Sequence, residues 1–128
     1  MVKKYYEVWS NGQIAELDNV MAPDYIYHMT NGKEQKGIDL TKEHYTRVRT
    51  SFPDLKDEIL DRVAEGDKVT VRYKSAGTFR VKLMNFSPTG KKIAVYGVSI
   101  YRIANGKIAE EWQFENQSDF LNQLKAKN

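Results

Sequence analysis

The sequence predicts a single domain of the α+β class, in which short helices come first and long antiparallel strands follow. Up to Pro53 the apolar residues recur with helical spacing, and beyond it they alternate with the period of a β-strand. Asn105-Gly106 then separates two alternating runs, which is the strongest short signal of a β-hairpin. Helices that precede consecutive strands are typical of a sheet covered by helices on one side. A chain of 128 residues is long enough for one such domain, residues 1–128, with its own core.

The composition excludes several classes of protein. Apolar residues make up 41% and charged residues 29% of the chain, as in a folded globular domain. No apolar run reaches the roughly 18 residues of a membrane span, and the first residues lack the apolar core of a secretion signal, so we expect a cytoplasmic protein without a membrane partner. Lysine and arginine are interspersed with acids, so no nucleic-acid surface is expected. Without cysteine, and with two histidines that lack metal-ligand spacing, the chain predicts neither thiol chemistry nor a metal site.

Helices are predicted where apolar residues return every three or four positions. The first helix ends at Asn11-Gly12, and the second stops before Pro23, because proline disfavours helical geometry in the residue before it. A final helix begins beyond a cap at Asn116 or Ser118. The first three helices are expected over residues 2–9, 14–21 and 38–51.

Strands are predicted where β-forming residues alternate between turns. A short strand over residues 25–29 is followed, after Pro53, by strands over residues 59–64 and 69–79 and by the hairpin of residues 91–115. Long antiparallel strands twist, so the sheet is expected to curve. The helices could then close its concave face and leave an apolar pocket between the two layers.

The returning strand of the hairpin carries the residue on which the functional prediction depends. With a period of two, Ile108, Glu110, Trp112 and Phe114 share one face. Glu110 is therefore predicted to be a carboxylate between apolar neighbours, where burial raises the pKa toward neutrality and suits abstraction of a proton next to a carbonyl. In the alternative, the strand lies near an edge and Glu110 reaches water or pairs with an arginine.

Short motifs along the chain occur in an order and spacing that are together specific for one fold. They are Tyr5-Tyr6 to Trp9, Ala22-Pro23-Asp24-Tyr25, Ser51-Phe52-Pro53-Asp54-Leu55, Glu65-Gly66-Asp67-Lys68-Val69, and the hairpin from Ile100-Tyr101-Arg102-Ile103 through Asn105-Gly106-Lys107-Ile108 to Glu110-Glu111-Trp112. With these motifs the sequence resembles the SnoaL-like polyketide cyclases of the NTF2-like superfamily. The resemblance covers nearly the whole chain and implies a cone-like α+β fold, a pocket for a small organic molecule, no metal or organic cofactor, and often a homodimer.

The resemblance also implies site residues. Enzymes of the family use an acidic residue on the last strand as general base, and Glu110 falls at that position. A histidine on the preceding strand often accompanies it, and here that position is held by Tyr96. Tyrosine is a poor base near neutral pH, so the departure bears directly on whether the chain is an enzyme.

Other residues have both a functional and a structural interpretation. Tyr96, on one face with Val98, could donate a hydrogen bond to a substrate oxygen or belong to the core or a dimer interface. His28 could act as an acid or base in the pocket, or simply end its strand. The aromatic residues of the first helix and of the last strand could form core and pocket wall together; they are Tyr6, Trp9 and Trp112.

Two functional hypotheses follow. The first is a cofactor-free enzyme that abstracts a proton and closes or isomerises a ring. The second is a non-catalytic binding or dimerisation module on the same scaffold. An enzyme is expected to have an ionisable group at the pocket floor and a route from solvent, and in both cases we expect a homodimer joined through the outer face of the long strands.

Overall fold

The computed structural model describes residues 2–125 and shows a curved six-stranded sheet with four α-helices. The strand order is β2-β1-β6-β5-β4-β3. The elements are α1 (Val2–Asn11), a 3-10 turn (Ile14–Glu16), α2 (Leu17–Val20), β1 (Met21–His28), β2 (Glu34–Lys36), α3 (Ile38–Ser51), β3 (Lys56–Glu65), β4 (Lys68–Thr78), β5 (Lys92–Ala104), β6 (Lys107–Glu115) and α4 (Gln117–Lys125).

The predicted α+β fold is confirmed, with two differences in the sheet. The sheet is not closed into a barrel, because β2 and β3 remain at its two edges. It is also not wholly antiparallel, because β1 runs parallel to β6 at the centre. Parallel neighbours need a long connection between the end of one strand and the start of the next, and the chain between β1 and β6 provides it.

The N-terminal part differs in detail from the prediction. The second helix is shorter than expected, and Met21 already begins β1. Pro23 lies inside β1, where the pairing with β6 shifts register between Met21 and Ile26. Proline has no N–H to donate to a neighbouring strand, so an irregular stretch of pairing is where a strand accommodates it.

The predicted hairpin turn is confirmed. Asn105 has φ of 53° and Gly106 has φ of 74°, as a turn with two left-handed central residues requires. Ile103 then pairs with Ile108, whereas Arg102 pairs with Glu110. Ala109 is therefore one extra residue on β6, a β-bulge.

The bulge reverses the predicted facing of β6. Ile108 is fully buried, and the next buried polar side chain is Glu111, at 3% exposure, three residues along. In a regular strand these two residues would point to opposite faces. Because Ala109 is inserted between them, both point inward and Glu110 points outward, so the predicted placement of Glu110 in the pocket is wrong.

Buried and exposed side chains alternate along β5 as predicted, but the buried set is the one that was predicted to face outward. Val95, Ser99 and Tyr101 are buried, whereas Tyr96 is 56% exposed. The inner face was hard to recognise because it also carries Gly97, which has no side chain, and a polar serine. Phe114, predicted to share the inner face of β6, is likewise exposed.

Aromatic side chains of α1 and the sheet form the centre of the core. Tyr5 and Tyr6 each meet Tyr101 edge to face, with ring centroids 5.8 and 6.2 Å apart. Tyr45 of α3 donates to the Val8 carbonyl at 2.7 Å and so fastens α3 to α1. None of the helices within residues 2–125 combines the length and apolarity needed to cross a membrane.

Gly97→Ala is expected to destabilise the fold by about 1 to 3 kcal/mol, because the core cannot absorb the added methyl group. A Cβ at this position would lie 2.3 Å from the Tyr73 hydroxyl and 2.5 Å from the ring carbon that bears it. Thermal unfolding of the single variants and of the Gly97→Ala/Tyr73→Leu double variant measures the coupling. An equal loss of stability in both backgrounds would show that Tyr73 is not what excludes the side chain.

Candidate functional site

A cavity of about 480 Å³ lies between the helices and the inner face of the sheet. Its wall includes the exposed residues Asn31, Arg47 and Met84, which mark the side open to solvent, and the fully buried Tyr25 and Tyr101, which mark its floor. The wall is largely aromatic and apolar, as in sites for small organic molecules.

Glu111 is the most enclosed charged side chain of this wall. Its Oε1 accepts a hydrogen bond of 2.5 Å from Tyr25 and a longer one of 3.5 Å from Tyr5. Its Oε2 accepts from Ser99 at 2.9 Å. Burial raises the pKa of Glu111, and the hydroxyl donors, which favour the ionised form, only partly offset it.

Glu115 lies further along the same inward face of β6. Tyr73 donates its hydroxyl to Glu115 Oε2, and Gln113 Nε2 donates to Tyr73 at 2.9 Å. Tyr27 in turn donates to Gln113 Oε1. Burial raises the pKa of Glu115, with Tyr73 acting against it. The inward side of β6 thus holds two carboxyl groups within a network of tyrosine hydroxyls.

Two titratable residues come from other elements. Asp57, at the start of β3, lines the cavity, and burial raises its pKa to about 6, with a hydrogen bond from Ser75 acting against the rise. His44 of α3 also lines the cavity and meets Trp9 edge to face. His44 lies at the exposed side of the cavity, where desolvation and then the charge of Arg47 lower its pKa.

The cavity contains two of the residues predicted to line it. Tyr6 and Trp9 of α1 are part of its wall, where they belong to core and cavity together. The other predicted residues lie outside it, and the prediction that they face the pocket is corrected: Glu110, Tyr96, His28, Trp112 and Val98.

Glu110 belongs to an ion-pair cluster on the outer face. Its Oε2 lies 2.5 Å from His28 Nε2, and its Oε1 accepts from Arg102 Nε at 3.0 Å. His28 stacks flat on Trp112, with 5.0 Å between ring centroids, and its Nδ1 lies 3.5 Å from Glu34. The alternative considered for Glu110, pairing with an arginine, describes this geometry.

The pKa of Glu110 is therefore lowered, not raised as predicted. Partial burial alone would raise it, but the hydrogen bonds and charges of His28 and Arg102 outweigh that cost. Because this carboxylate is held by Arg102 and His28 outside the cavity, its geometry does not supply a base for a molecule bound inside.

Tyr96 and Val98 are exposed on the same outer face. Val98 lies opposite Phe114 in the pairing of β5 with β6, and the next outward pair is Ile100 with Trp112. These five side chains form an apolar surface, here called the outer patch. Its apolar character is what made this face resemble a core face in the sequence.

Sequence reasoning missed the carboxyl groups inside the cavity. Glu111 and Glu115 alternate with Gln113, a pattern that resembles a solvated strand face. Asp57 precedes the alternating part of β3 and carries no motif. A usable signal was the run of tyrosines on α1, β1, β4 and β5, because buried hydroxyl groups need acceptors in the core.

Glu110→Gln is expected to lower the free energy of unfolding by about 1 to 3 kcal/mol, because it weakens hydrogen bonds to charged partners. The lowered pKa also fixes the pH dependence: the stabilisation is present above the ordinary value of 4.5 and disappears as the pH falls through the lower folded-state value. Thermal melts at pH 7 and pH 3 measure both effects.

The control for that comparison is Glu65→Gln, an exposed carboxylate at the end of β3. Its melting temperature should stay close to that of the parent at both pH values. If Glu110→Gln melts no lower than Glu65→Gln at pH 7, the ion-pair cluster does not stabilise the fold.

Several solved structures share this fold. IdmH from Streptomyces antibioticus, a candidate polyketide cyclase, is 24% identical with a TM-score of 0.85, covering 98% of this chain and 96% of that one. A candidate SnoaL-like polyketide cyclase from Jannaschia sp. CCS1 is 18% identical with a TM-score of 0.88, covering 99% and 90%. A candidate polyketide cyclase from Acidithiobacillus ferrooxidans is 26% identical with a TM-score of 0.82, covering 97% and 90%.

The family of this chain follows from its sequence. A comparison with curated proteins finds no match. The family model of the SnoaL-like polyketide cyclases matches residues 1–124, which is nearly the whole chain. The chain belongs to the SnoaL-like polyketide cyclase family.

Proposed function

We propose that this protein binds a small carbonyl-containing organic molecule in its cavity and moves protons on it without a cofactor, as ring closure or isomerisation requires. The observation that carries the proposal is Glu111, a carboxyl group surrounded by hydroxyl donors at the floor of an aromatic cavity that opens to solvent. An ionisable floor and a route from solvent are what distinguish a catalytic cavity from a sealed one.

Proton transfer next to a carbonyl suits the carboxyl and hydroxyl groups that face the cavity. Removing a proton next to a carbonyl leaves negative charge on the carbonyl oxygen, and hydroxyl or neutral carboxyl donors stabilise that charge in a cavity of low dielectric. Glu111 provides such a donor when its carboxyl group holds a proton, a form that its raised pKa favours. Tyr5 and Tyr25 donate to Glu111 and hold it in place. In this proposal the acid–base chemistry belongs to the inward carboxyl groups and not to Glu110.

A binding module without catalysis is the second candidate. It is favoured by one observation: both oxygens of Glu111 already accept hydrogen bonds from protein hydroxyls, as in a carboxylate that only anchors a core. A molecule bound by such a protein would enter the cavity but would not exchange protons with it.

Deuterium uptake by 2-tetralone in D2O tests the catalytic proposal, since each exchanged α-hydrogen reports one proton abstraction. The parent protein should accelerate exchange, and Glu111→Gln should reduce the acceleration by about 100-fold, because an amide cannot share the carboxyl proton. The matched control is Glu110→Gln, the neighbouring carboxylate outside the cavity, which should retain the parent rate.

The paired variants also test the sequence prediction that Glu110 is the base. A loss of exchange in Glu110→Gln, with activity retained in Glu111→Gln, would reverse the proposal. Binding of 2-tetralone by the parent without any exchange would support the binding module instead.

We also propose that a second copy of the chain covers the outer patch. Exposed apolar side chains on neighbouring strands seldom remain uncovered over a continuous area, and a two-fold contact is the usual closed arrangement. Tyr96 and Phe114, 56% and 53% exposed, are its most accessible members.

Sedimentation equilibrium at micromolar concentration should therefore show a dimer for the parent. Phe114→Lys should shift the protein to a monomer, because it places a charge in the centre of the apolar contact. The control is Val63→Lys on edge strand β3, a more exposed apolar residue outside the outer patch. A monomeric parent, or a dimer that survives Phe114→Lys, would contradict the proposed interface.

A further inference from the structure

Asp57 lies on the cavity wall formed by β3, away from the two carboxyl groups of β6. It pairs with Ser75 of β4 and lines the cavity there. The backbone at this position is fixed to α1. The Asp57 N–H donates to Ser10 Oγ at 2.9 Å, and Ser10 Oγ donates back to the Asp57 carbonyl at 3.3 Å.

Arg49 holds the segment that leads into Asp57. Its guanidinium donates to the carbonyls of Ser10 at 3.1 Å, Leu55 at 2.9 Å and Pro53 at 3.0 Å. These bonds join the end of α1, the end of α3 and the start of β3. Asp57 is therefore presented on a rigid support, as a group that must meet a bound molecule in one geometry should be.

The three cavity carboxyl groups differ in what occupies their oxygens. Both oxygens of Glu111 accept from hydroxyl groups, and Glu115 Oε2 accepts from Tyr73 and, at 3.5 Å, from Gln113. The Oδ1 atom of Asp57 is buried and has no hydrogen-bond partner among the described residues. A general base needs an oxygen that no donor occupies, and Asp57 Oδ1 meets that requirement.

We propose that Asp57 is the general base of the cavity and that Glu111, which Tyr5 and Tyr25 hold in place, binds the substrate oxygen on the β6 side of the cavity. This inference rests on the proposed function. It assigns proton removal to the β3 side of the cavity and binding of the substrate oxygen to the β6 side. The substrate class is a ketone or ester with an acidic C–H directed toward β3 and its carbonyl directed toward β6.

The step is balanced without any further reagent. The Asp57 carboxylate takes the proton from the carbon, the C–H electron pair becomes the C=C bond of an enolate, and the carbonyl π pair moves to its oxygen. That oxygen receives a hydrogen bond from the protonated carboxyl group of Glu111. The enolate carbon then attacks a second carbonyl of the same molecule, and the new alkoxide takes the proton back from Asp57.

The charges around Asp57 fit a base that works near neutrality. Burial raises its pKa to about 6; Glu115 and Glu111 raise it further, whereas Ser75 and Arg49 lower it. At pH 7 the group is therefore mostly ionised, yet it binds a proton more strongly than an exposed aspartate does.

The probe is 5-nitrobenzisoxazole, whose ring opens when a base removes its single C–H proton next to nitrogen. The N–O bond breaks, and a coloured nitrile phenolate forms without a cofactor. The parent protein should open it with a rate that rises with pH through an inflection near pH 6. Asp57→Asn should reduce kcat/KM by about 100-fold, because the amide cannot accept the proton.

Two further variants separate Asp57 from its surroundings. Glu58→Gln, the exposed neighbour on the other face of β3, should keep the parent rate and inflection. Glu115→Gln should move the inflection of the remaining reaction to lower pH, because it removes a negative charge that raises the pKa of Asp57. A purely structural role for Asp57 would not produce that shift.

The outcomes that overturn the inference differ from those that overturn the proposed function. If Asp57→Asn keeps the parent rate and Glu111→Gln or Glu115→Gln loses it, Asp57 is not the base, but the cavity still moves protons. If the parent opens the probe no faster than acetate does, the Asp57 inference fails, and deuterium exchange of 2-tetralone decides the proposed function separately. Should Asp57→Asn not fold, the parent pH profile decides, and an inflection absent or near pH 4 overturns the inference.

Discussion

The single residue inserted into β6 at Ala109 determines what each face of this protein can do. Because the bulge turns Glu111 inward and Glu110 outward, the cavity receives a carboxyl group and the outer face an ion-pair cluster. Without it, the strand would present Glu110, Trp112 and Phe114 to the cavity and leave Glu111 in solvent. Bulges are common beside functional sites for this reason, since they redirect a side chain without altering the strand order.

The two neighbouring glutamates show how environment alone separates identical side chains. Glu110 is paired with His28 and Arg102, and its pKa falls; Glu111 is surrounded by hydroxyl groups, and its pKa rises. Full positive charges compensate for lost hydration, whereas neutral donors compensate only in part. The hydroxyl network therefore keeps Glu111 satisfied in either protonation state, which a cation would not do.

Much of the fold was predictable because it depends on local rules. The Asn105-Gly106 turn, the helical spacing of α1 and the alternation of β4 each follow from short-range geometry, and each is present in the structure. Asn116, one of the two predicted caps, accepts the Asp119 N–H at 2.9 Å. The site was predicted less well because it depends on which face of β6 each residue occupies. The bulge at Ala109 changes that assignment, and it contains no glycine or proline by which the sequence could reveal it.

The inner face of the sheet was also hard to predict because of its residue composition. A strand face that lines a cavity is not purely apolar, and on β5 and β6 it carries Gly97, Ser99, Glu111 and Gln113. The outer face of the same strands is more apolar, with Val98 opposite Phe114. A rule that assigns the more apolar side of a strand to the core therefore selects the wrong side where polar residues line a cavity on one face and apolar residues lie exposed on the other. The tyrosines give the better criterion: Tyr25, Tyr73 and Tyr101 are buried, and a buried hydroxyl requires a partner. That requirement directs attention to the carboxyl groups that can accept from them, which is where the structure places Glu111 and Glu115.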